Sequence, residues 1–226
     1  MILAGELPGG ARIAELSLVD MLGVSRTPIR AALVRLEQEG LLVAMAGGGF
    51  AVKTFSERDV SESIELRGCL EGMLARLAAE RGAVPALLNQ ARDTLAAIDA
   101  VLQMQALDDD AFTRYVELNA RFHVLLMDMA GSSVIRKEAE RIAALPFASP
   151  SGFVLAQATS PQARDMFIVA QDQHWQVLAA IEQREGARAE ALMREHSRLA
   201  QRNLVATVTA QVLPELPGVQ LLQRRA

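Results

Sequence analysis

Three histidines are the residues of this sequence best suited to chemistry: His123, His174 and His196. Each lies in a separate stretch whose apolar residues recur at helical spacing, so the pattern places one imidazole on each of three helices. Imidazoles from different helices of a bundle can converge on one ion, and imidazole suits Zn²⁺, Ni²⁺, Cu²⁺ or Fe²⁺. A single helical histidine is more often a surface residue or a hydrogen-bonded core residue. Spacing alone therefore leaves both interpretations open.

A second polar group lies near the N-terminus, at the start of a helical pattern that follows the turn Leu22-Gly23-Val24. Its members are Ser25, Arg26, Thr27 and Arg30. Arg26 and Arg30 are four residues apart and share a helix face. Arginine forks suit phosphates and guanine edges, and a threonine hydroxyl can contact either phosphate or base. The alternative is a solvated basic helix end.

Residues 1–54 contain the elements that would position this group. Apolar residues at helical spacing end at Gly23, a typical C-terminal glycine. Ser25 is a suitable N-cap for a second helix that ends near Gly40. Two short apolar runs, 41–45 and 50–52, flank Gly47, Gly48 and Gly49 and predict a β-hairpin whose bare tip can approach phosphates closely. Helix, turn, helix and hairpin together predict a winged helix-turn-helix.

The bulk composition limits the possible classes. The net charge is −4, and residues 1–54 hold five basic and five acidic side chains, so DNA binding requires the basic ones to be concentrated on one face. With 51% hydrophobic but only 4% aromatic residues, helices are favoured over sheets. No apolar run approaches the ~20 residues of a membrane span. The start MILAGELPGG lacks a signal-peptide pattern, and the single cysteine fits a reducing cytoplasm.

Residues 57–211 form the second part of the chain, and their periodicity predicts an all-α bundle of six helices. The expected spans are 57–82, 85–105, 108–130, 132–145, 160–184 and 187–211. Residues 146–161 contain three prolines and one glycine and are expected to form a long irregular loop. Residues 212–226 are expected to be a loose tail. The predicted fold is mostly α, with the two domains at 1–54 and 57–211.

The N-terminal part resembles the GntR family of bacterial transcription regulators. The resemblance covers nearly all of residues 4–54 and rests on GELPGGARIAELSLVDMLGVSRTPIRAALVRLEQEGLL and the wing GGGFAV. It implies that Arg26, Thr27 and Arg30 contact double-stranded operator DNA, assisted by Arg35 and the wing glycines. The family has a helix before the GELPG turn, where only Met1–Ala4 stand here, so the first helix is expected to be truncated. Ala31 also stands where the family commonly has Glu.

Residues 57–211 resemble the FadR-type ligand-binding (FCD) domain in its six-helix, VanR-like form. The segments NARFH, QDQHWQVLAAI and LMREHSRLA carry the resemblance. It implies a divalent transition-metal ion, such as zinc or nickel, bound by Asn119, His123, His174 and His196. The segment ELRGCLEGMLARLAAE resembles the domain's first helix and implies that Arg67 faces the ligand cavity. The alternative for Arg67 is a surface salt bridge with Glu71.

The predicted ligand set has a consequence for the effector. Three neutral imidazoles and the Asn119 amide leave the charge of a metal ion uncancelled, so an open position should attract an anion. Arg67 could hold a carboxylate with its guanidinium fork. We therefore expect a small carboxylate or sugar acid as the effector. Tyr115 and Gln171 are expected either to line this pocket or to pack within the core.

The protein is expected to be a cytoplasmic, ligand-responsive repressor. The resemblance implies that it binds DNA as a homodimer, since two half-sites need two DNA-binding domains. It is not expected to be an enzyme. A metal-dependent hydrolase is the main alternative, but the pattern places no Asp or Glu at a metal-facing position to serve as general base. A helical protein with a purely structural metal is the other alternative. The pattern does not tell whether ligand releases or promotes DNA binding.

Overall fold

The N-terminal part of the chain is a winged helix-turn-helix, as predicted. The computed structural model describes residues 1–104, 107–146, 148–150, 163–209 and 221–222. The elements here are α1 (Glu15–Leu22), α2 (Arg26–Gln38), β1 (Leu42–Ala44) and β2 (Phe50–Val52). Gly23 ends α1 in the left-handed conformation, at φ 66°, which glycine adopts without steric cost. Ser25 is the N-cap residue of α2, although its side chain accepts no capping hydrogen bond.

The wing is the antiparallel pair β1–β2, in which Leu42 lies opposite Val52 and Ala44 opposite Phe50. Gly48 and Gly49 in the connecting turn both have φ near 84°, which explains the glycines found there. Arg12 adds an isolated bridge to Ala51 on the other side of β2. The first strand is one residue shorter at each end than the predicted 41–45, and the second strand has the predicted bounds 50–52.

The rest of the described chain is helical and contains the six predicted helices. They are α3 (Glu57–Arg81), α4 (Pro85–Leu102), α5 (Asp109–Ala130), α6 (Ser133–Ala143), α7 (Ala163–Glu182) and α8 (Gly186–Thr209). Ser56 caps α3 in a reciprocal capping box with Asp59, and Asp108 caps α5. Most of the predicted loop 146–161, including residues 151–161, lies outside the described residues. None of the helices that the structure describes combines the length and apolarity needed to cross a membrane.

Helix α3 lies at the centre of the bundle and packs along α8. Gly68 and Gly72 of α3 face α8 so closely that a Cβ at Gly72 would lie 3.0 Å from the carbonyl oxygen of Glu190. A Cβ at Gly68 would overlap the Ser197 side chain. Ala75, Ala78 and Ala79 continue the small, fully buried face of α3 toward its C-terminus. Small residues therefore let α3 carry its polar side chains close to α8.

A second buried cluster joins the winged domain to the helical bundle. It contains Ile13, Leu33, Leu42 and Val52 from the winged domain, and Val60 and Ile64 from α3. Phe55 also belongs to it and comes from the joint, which is the segment 53–56 between β2 and α3. Leu145, which follows α6, and Ala200 of α8 pack against it. Leu221 also belongs to this cluster and is fully buried, so the expectation of a loose tail is wrong for the two tail residues that the structure describes, Leu221 and Leu222. The local sequence around them is punctuated by prolines and carries no periodic signal of this long-range contact.

Candidate metal centre and nucleic-acid interface

The three histidines come together in one buried cluster. His123 lies on α5, His174 on α7 and His196 on α8, and their exposed fractions are 2%, 0% and 8%. One possible ligand atom from each lies within 4.8 Å of the other two. The Nε2 atoms of His174 and His196 are 3.2 Å apart. His196 therefore lies in the interior, although its sequence neighbours in REHSR are polar or charged.

Two polar neighbours orient the histidine rings. The Nδ1 of His123 lies 2.9 Å from a carboxylate oxygen of Glu71. The Nδ1 of His174 lies 3.3 Å from the amide oxygen of Gln171. If each Nδ1 carries the proton and donates it, the Nε2 atoms of both rings are left as lone-pair donors. The His123 Nε2 and the His196 Nδ1 are buried and lack a hydrogen-bond partner among the described residues.

The protonation state of His174 and His196 suits metal binding. Burial lowers the pKa of His174 well below its usual value, and the charge of His123 lowers it further. Burial likewise lowers the pKa of His196. Both rings are therefore neutral at physiological pH, which is the form of imidazole that binds metal ions.

Arg67 and Glu71 form a buried ion pair beside the cluster. The Arg67 Nη1 lies 3.2 Å from a carboxylate oxygen of Glu71, and both side chains are almost fully buried. Burial alone would raise the pKa of Glu71, but the charge of Arg67 and the contact with His123 outweigh it and lower that pKa to about 2. The salt bridge considered from the sequence exists, but it is in the interior and touches the histidine cluster.

A cavity adjoins the cluster. Its volume is about 40 Å³, and its lining includes Arg67, Tyr115, Asn119 and His196. The Nε of Arg67 is buried without a hydrogen-bond partner among the described residues. A guanidinium, a phenol, an amide and an imidazole at one small cavity form a set that can bind an anion.

The other predicted pocket residues have different surroundings. Asn119 is 3% exposed and lies one helical turn from His123 on α5. Tyr115 lines the cavity, stacks on Phe167 at 4.5 Å between ring centroids, and has its pKa raised by burial. Gln171 is not among the residues that line the cavity. Its amide nitrogen donates to the Leu95 carbonyl and to Asp99, at 2.8 Å each, so it supports His174 from behind.

Glu71 is the functional candidate that the sequence reasoning missed. The sequence suggests it only as a surface partner of Arg67, and its pattern places no carboxylate near the histidines. The contact joins residues 52 positions apart, so no local pattern announces it. The signal available in the sequence is its four-residue spacing from Arg67, which puts both side chains on one face of α3.

The predicted DNA-contacting residues are all accessible to solvent. Ser25, Arg26, Thr27, Arg30 and Arg35 of the α2 region and the wing residues Gly47, Gly48 and Gly49 are all exposed. Ile29 and Leu33 of the same helix are buried in the domain core. The burial pattern of α2 therefore leaves the predicted contact residues accessible to solvent.

The arginines of the winged domain differ in their partners. Arg26 pairs with Glu15 at 3.4 Å, and Arg35 pairs with Glu39 at 2.9 Å. No carboxylate among the described residues lies within ion-pair distance of Arg30. The Arg12 side chain donates to the Gly48 carbonyl at 3.4 Å and so fastens the wing tip to the segment before α1.

Comparison with known proteins agrees with this architecture. Residues 1–52 match the bacterial regulatory proteins of the gntR family, and residues 62–199 match the FCD domain. The HTH-type transcriptional repressor GlaR of Escherichia coli is 29% identical over 197 residues, which cover 86% of both chains. The uncharacterized HTH-type transcriptional regulator YdhC of Bacillus subtilis is 32% identical over 145 residues, 63% of this chain. The chain spans about three fifths of the length of YdhC, 61%.

The fold also matches a solved structure. E. coli McbR/YncC superimposes with a TM-score of 0.61 at 20% identity, over 93% of this chain and 92% of that one. At this identity the match supports the fold alone. The FCD match covers more than half of the chain, and the winged domain in front of it matches separately. The protein therefore belongs to the GntR family of bacterial transcriptional regulators, as a member with a C-terminal FCD domain, and is not an enzyme.

Proposed function

We propose that this regulator binds its operator as a homodimer and represses transcription until a small organic acid binds beside a metal ion in the FCD domain. The observation that carries the proposal is the buried cluster of three imidazoles from α5, α7 and α8, next to a cavity lined by Arg67. GntR regulators bind operator DNA, and the relative GlaR is named a repressor. Repression relieved by ligand is extended to this chain on that basis.

On the DNA side, α2 would lie in the major groove with its N-terminal residues toward the base edges. Arg26, Thr27 and Arg30 would contact bases and phosphates, assisted by Ser25, Arg35 and the glycines Gly47, Gly48 and Gly49. Their exposure supports this role.

In the FCD domain, His123, His174 and His196, together with Asn119, would hold one divalent transition-metal ion such as zinc or nickel. Nitrogen ligands lie ~2.0–2.1 Å from Zn²⁺, so two of them on one ion are roughly 3 Å apart. The 3.2 Å between the Nε2 atoms of His174 and His196 fits this separation. The buried Nε2 of His123, which lacks a partner among the described residues, also fits a cation site.

The charges around the cluster favour an anionic effector. Glu71 balances Arg67, and the three imidazoles and the Asn119 amide add no negative charge. When bound, the ion supplies an uncancelled positive charge. A carboxylate or sugar acid in the cavity would meet this charge and could accept a hydrogen bond from the buried Nε of Arg67. Tyr115 would bound the same cavity, and Gln171 would act through His174.

A purely structural metal is the second candidate, because the cluster lies at the meeting point of three core helices and would stabilise them in any case. The two candidates differ in how operator affinity responds to effector binding. A sensor requires that the effector bind the DNA-competent and DNA-incompetent arrangements with unequal affinity. A structural site leaves operator affinity unchanged.

The metal site is tested by elemental analysis of protein purified without a metal-affinity column. We expect roughly one transition-metal ion per chain and its loss in His174→Ala, since removal of one of few ligands weakens the site strongly. Gln176→Ala is the matched control, because Gln176 lies on the same helix and its amide donates to Asp172 on the exposed side of that helix. Full metal content in a His123→Ala, His174→Ala double variant would contradict the assignment.

A further inference from the structure

The joint between the two domains carries a contact that the proposed function does not use. Phe55, between β2 and α3, is 2% exposed, and its backbone N–H donates to the Leu221 carbonyl at 2.7 Å. Leu222 forms a parallel bridge with Phe55. Leu221 is fully buried. Two residues near the C-terminus of the chain are thus docked on the segment that precedes the first helix of the FCD domain.

A hydrogen bond and apolar contacts both stabilise the docked position of Leu221. A buried backbone N–H without an acceptor is costly, and Leu221 supplies the acceptor for the buried Phe55. The Leu221 side chain also belongs to the cluster that includes Val52 of the wing and Val60 and Ile64 of α3. Undocking would expose apolar surface on both sides of the joint.

The same cluster is connected to the metal-bearing helix. Ala200, one turn after His196 on α8, packs against it. Helix α8 is also the last helix before Leu221 in the part of the chain that the structure describes. Residues 210–220 lie outside the described residues, and the inference rests on Leu221 and Leu222 alone.

We propose that Leu221–Leu222 is a C-terminal clasp that docks on Phe55 and holds the winged domain in a defined position against the FCD domain. Without the clasp, the domains remain joined covalently through residues 53–56, and the position of the reading helix is less restricted. With it, α3 and Leu221 both pack against Phe55 at the joint. The clasp rests on the proposed function only for its regulatory consequence, and its docking can be tested separately.

Two truncated chains that differ only in the leucines provide the test. One ends at Leu222 and keeps the clasp, and the other ends at Gln220 and lacks it. We expect the Phe55 amide to exchange with solvent on the order of tenfold faster in the chain ending at Gln220, since it loses a hydrogen bond and a buried leucine. The Ala189 amide, which donates to Glu185 at 2.9 Å and lies in the separate core of the helical bundle, is the internal control and should exchange equally in both.

The full chain with Leu221→Ala should show the same selective loss of Phe55 protection, so the test does not depend on truncation. Trypsin should cut faster after the half-buried Lys53 in the chain ending at Gln220 than in the chain ending at Leu222. Equal Phe55 exchange in both truncated chains would overturn the docking.

The regulatory consequence needs a DNA measurement. On an operator selected from random DNA with the full chain, the chain ending at Gln220 should tolerate changes in half-site spacing that the chain ending at Leu222 does not. Metal content should be the same in both, which separates a failure of the clasp from a failure of the metal site. Identical spacing preferences in the two chains would overturn the clasp as a positioning device.

Discussion

At the scale of the residue, Glu71 joins two side chains with different proposed roles. One carboxylate group contacts both the Arg67 guanidinium and the His123 ring, at 3.2 Å and 2.9 Å. A carboxylate that accepts from the non-ligating nitrogen of a histidine fixes the ring and strengthens its other nitrogen as a ligand. Glu71 is thus a positioning residue for His123.

Glu71→Gln should weaken metal binding without removing any ligand. The amide keeps the shape of the side chain but loses the charge that supports His123 and pairs with the buried Arg67, so folding is checked by circular dichroism. In the folded variant we expect the metal dissociation constant to rise about 10–100-fold. Competition with a chelator of known affinity measures this change. Glu62→Gln, which alters an exposed glutamate of the same helix, is the control. Unchanged affinity in Glu71→Gln would show that the contact only packs the interior.

Arg30 is expected to matter more for operator binding than Arg35. Arg35 must give up its Glu39 pair to reach a phosphate, whereas no carboxylate of the described residues holds Arg30. Arg30→Ala should raise the operator dissociation constant by about five- to 150-fold, which corresponds to ~1–3 kcal/mol. Fluorescence anisotropy with labelled operator measures the effect. Arg58→Ala removes an exposed charge from α3 and serves as the control. Equal binding by Arg30→Ala and Arg58→Ala would contradict the predicted reading face.

The convergence of the histidines and the exposure of Arg26 and Arg30 could be predicted because these residues are rare or locally patterned. The chain has only three histidines, and Arg26 and Arg30 follow a recognisable turn. The role of Glu71 could not, because carboxylates on helices are common and the distinguishing fact is its burial against a helix 52 positions away. Gln171 was expected either to line the pocket or to pack within the core, and its contact with Asp99, away from the cavity, depends on the packing of α4 against α7.

At the scale of the element, α3 and α8 form the contact that brings Arg67 and Glu71 beside His196. Gly72→Ala should disturb this contact, because its Cβ would lie 2.8 Å from the Arg194 Cγ and 3.0 Å from the Glu190 carbonyl oxygen. Overpacking costs ~1–3 kcal/mol, which a helix propensity gain of ~0.5–1 kcal/mol offsets in part. We expect a net fall in the free energy of unfolding, measured by urea denaturation of metal-free protein.

A matched control is available in the wing. Gly47 has open space around it and no positive φ, so Gly47→Ala should leave stability nearly unchanged. A Gly72→Ala protein as stable as wild type would mean that α3 and α8 can separate at little cost. In that case the glycine would not be needed for the close approach of the two helices.

Helix positions were predictable because start and stop signals are local. Gly23, Ser56 and Gly131 end or begin helices as their backbone preferences require. The docking of Leu221 was not predictable, because its acceptor role for Phe55 joins residues 166 positions apart (221 − 55). Local patterns specify elements, whereas contacts between distant elements depend on the packing of the whole chain.

At the scale of the whole molecule, the histidine cluster and the DNA-reading surface communicate only if some element differs between two states. Helix α3 is the shortest covalent route, since it carries Arg67 and begins at Glu57, separated from the end of β2 only by residues 53–56. Helix α8 is the second route, through His196 and Ala200. An effector that touches both helices at the cavity can therefore bias how they pack at the joint.

The final prediction tests this coupling with a variant that keeps the interior charge balanced. Arg67→Ala would leave Glu71 buried without its ion-pair partner, which is strongly destabilising. Arg67→Lys keeps the positive charge but loses the planar fork that suits a carboxylate. In wild type, a library of small organic acids should contain members that change operator affinity by five- to 150-fold, a coupling of ~1–3 kcal/mol. The same acids should have a smaller effect on Arg67→Lys, while its operator affinity without acid should match that of wild type. An acid that binds at Arg67 and leaves operator affinity unchanged would favour the structural metal over the sensor, because binding without differential affinity for two states cannot shift them.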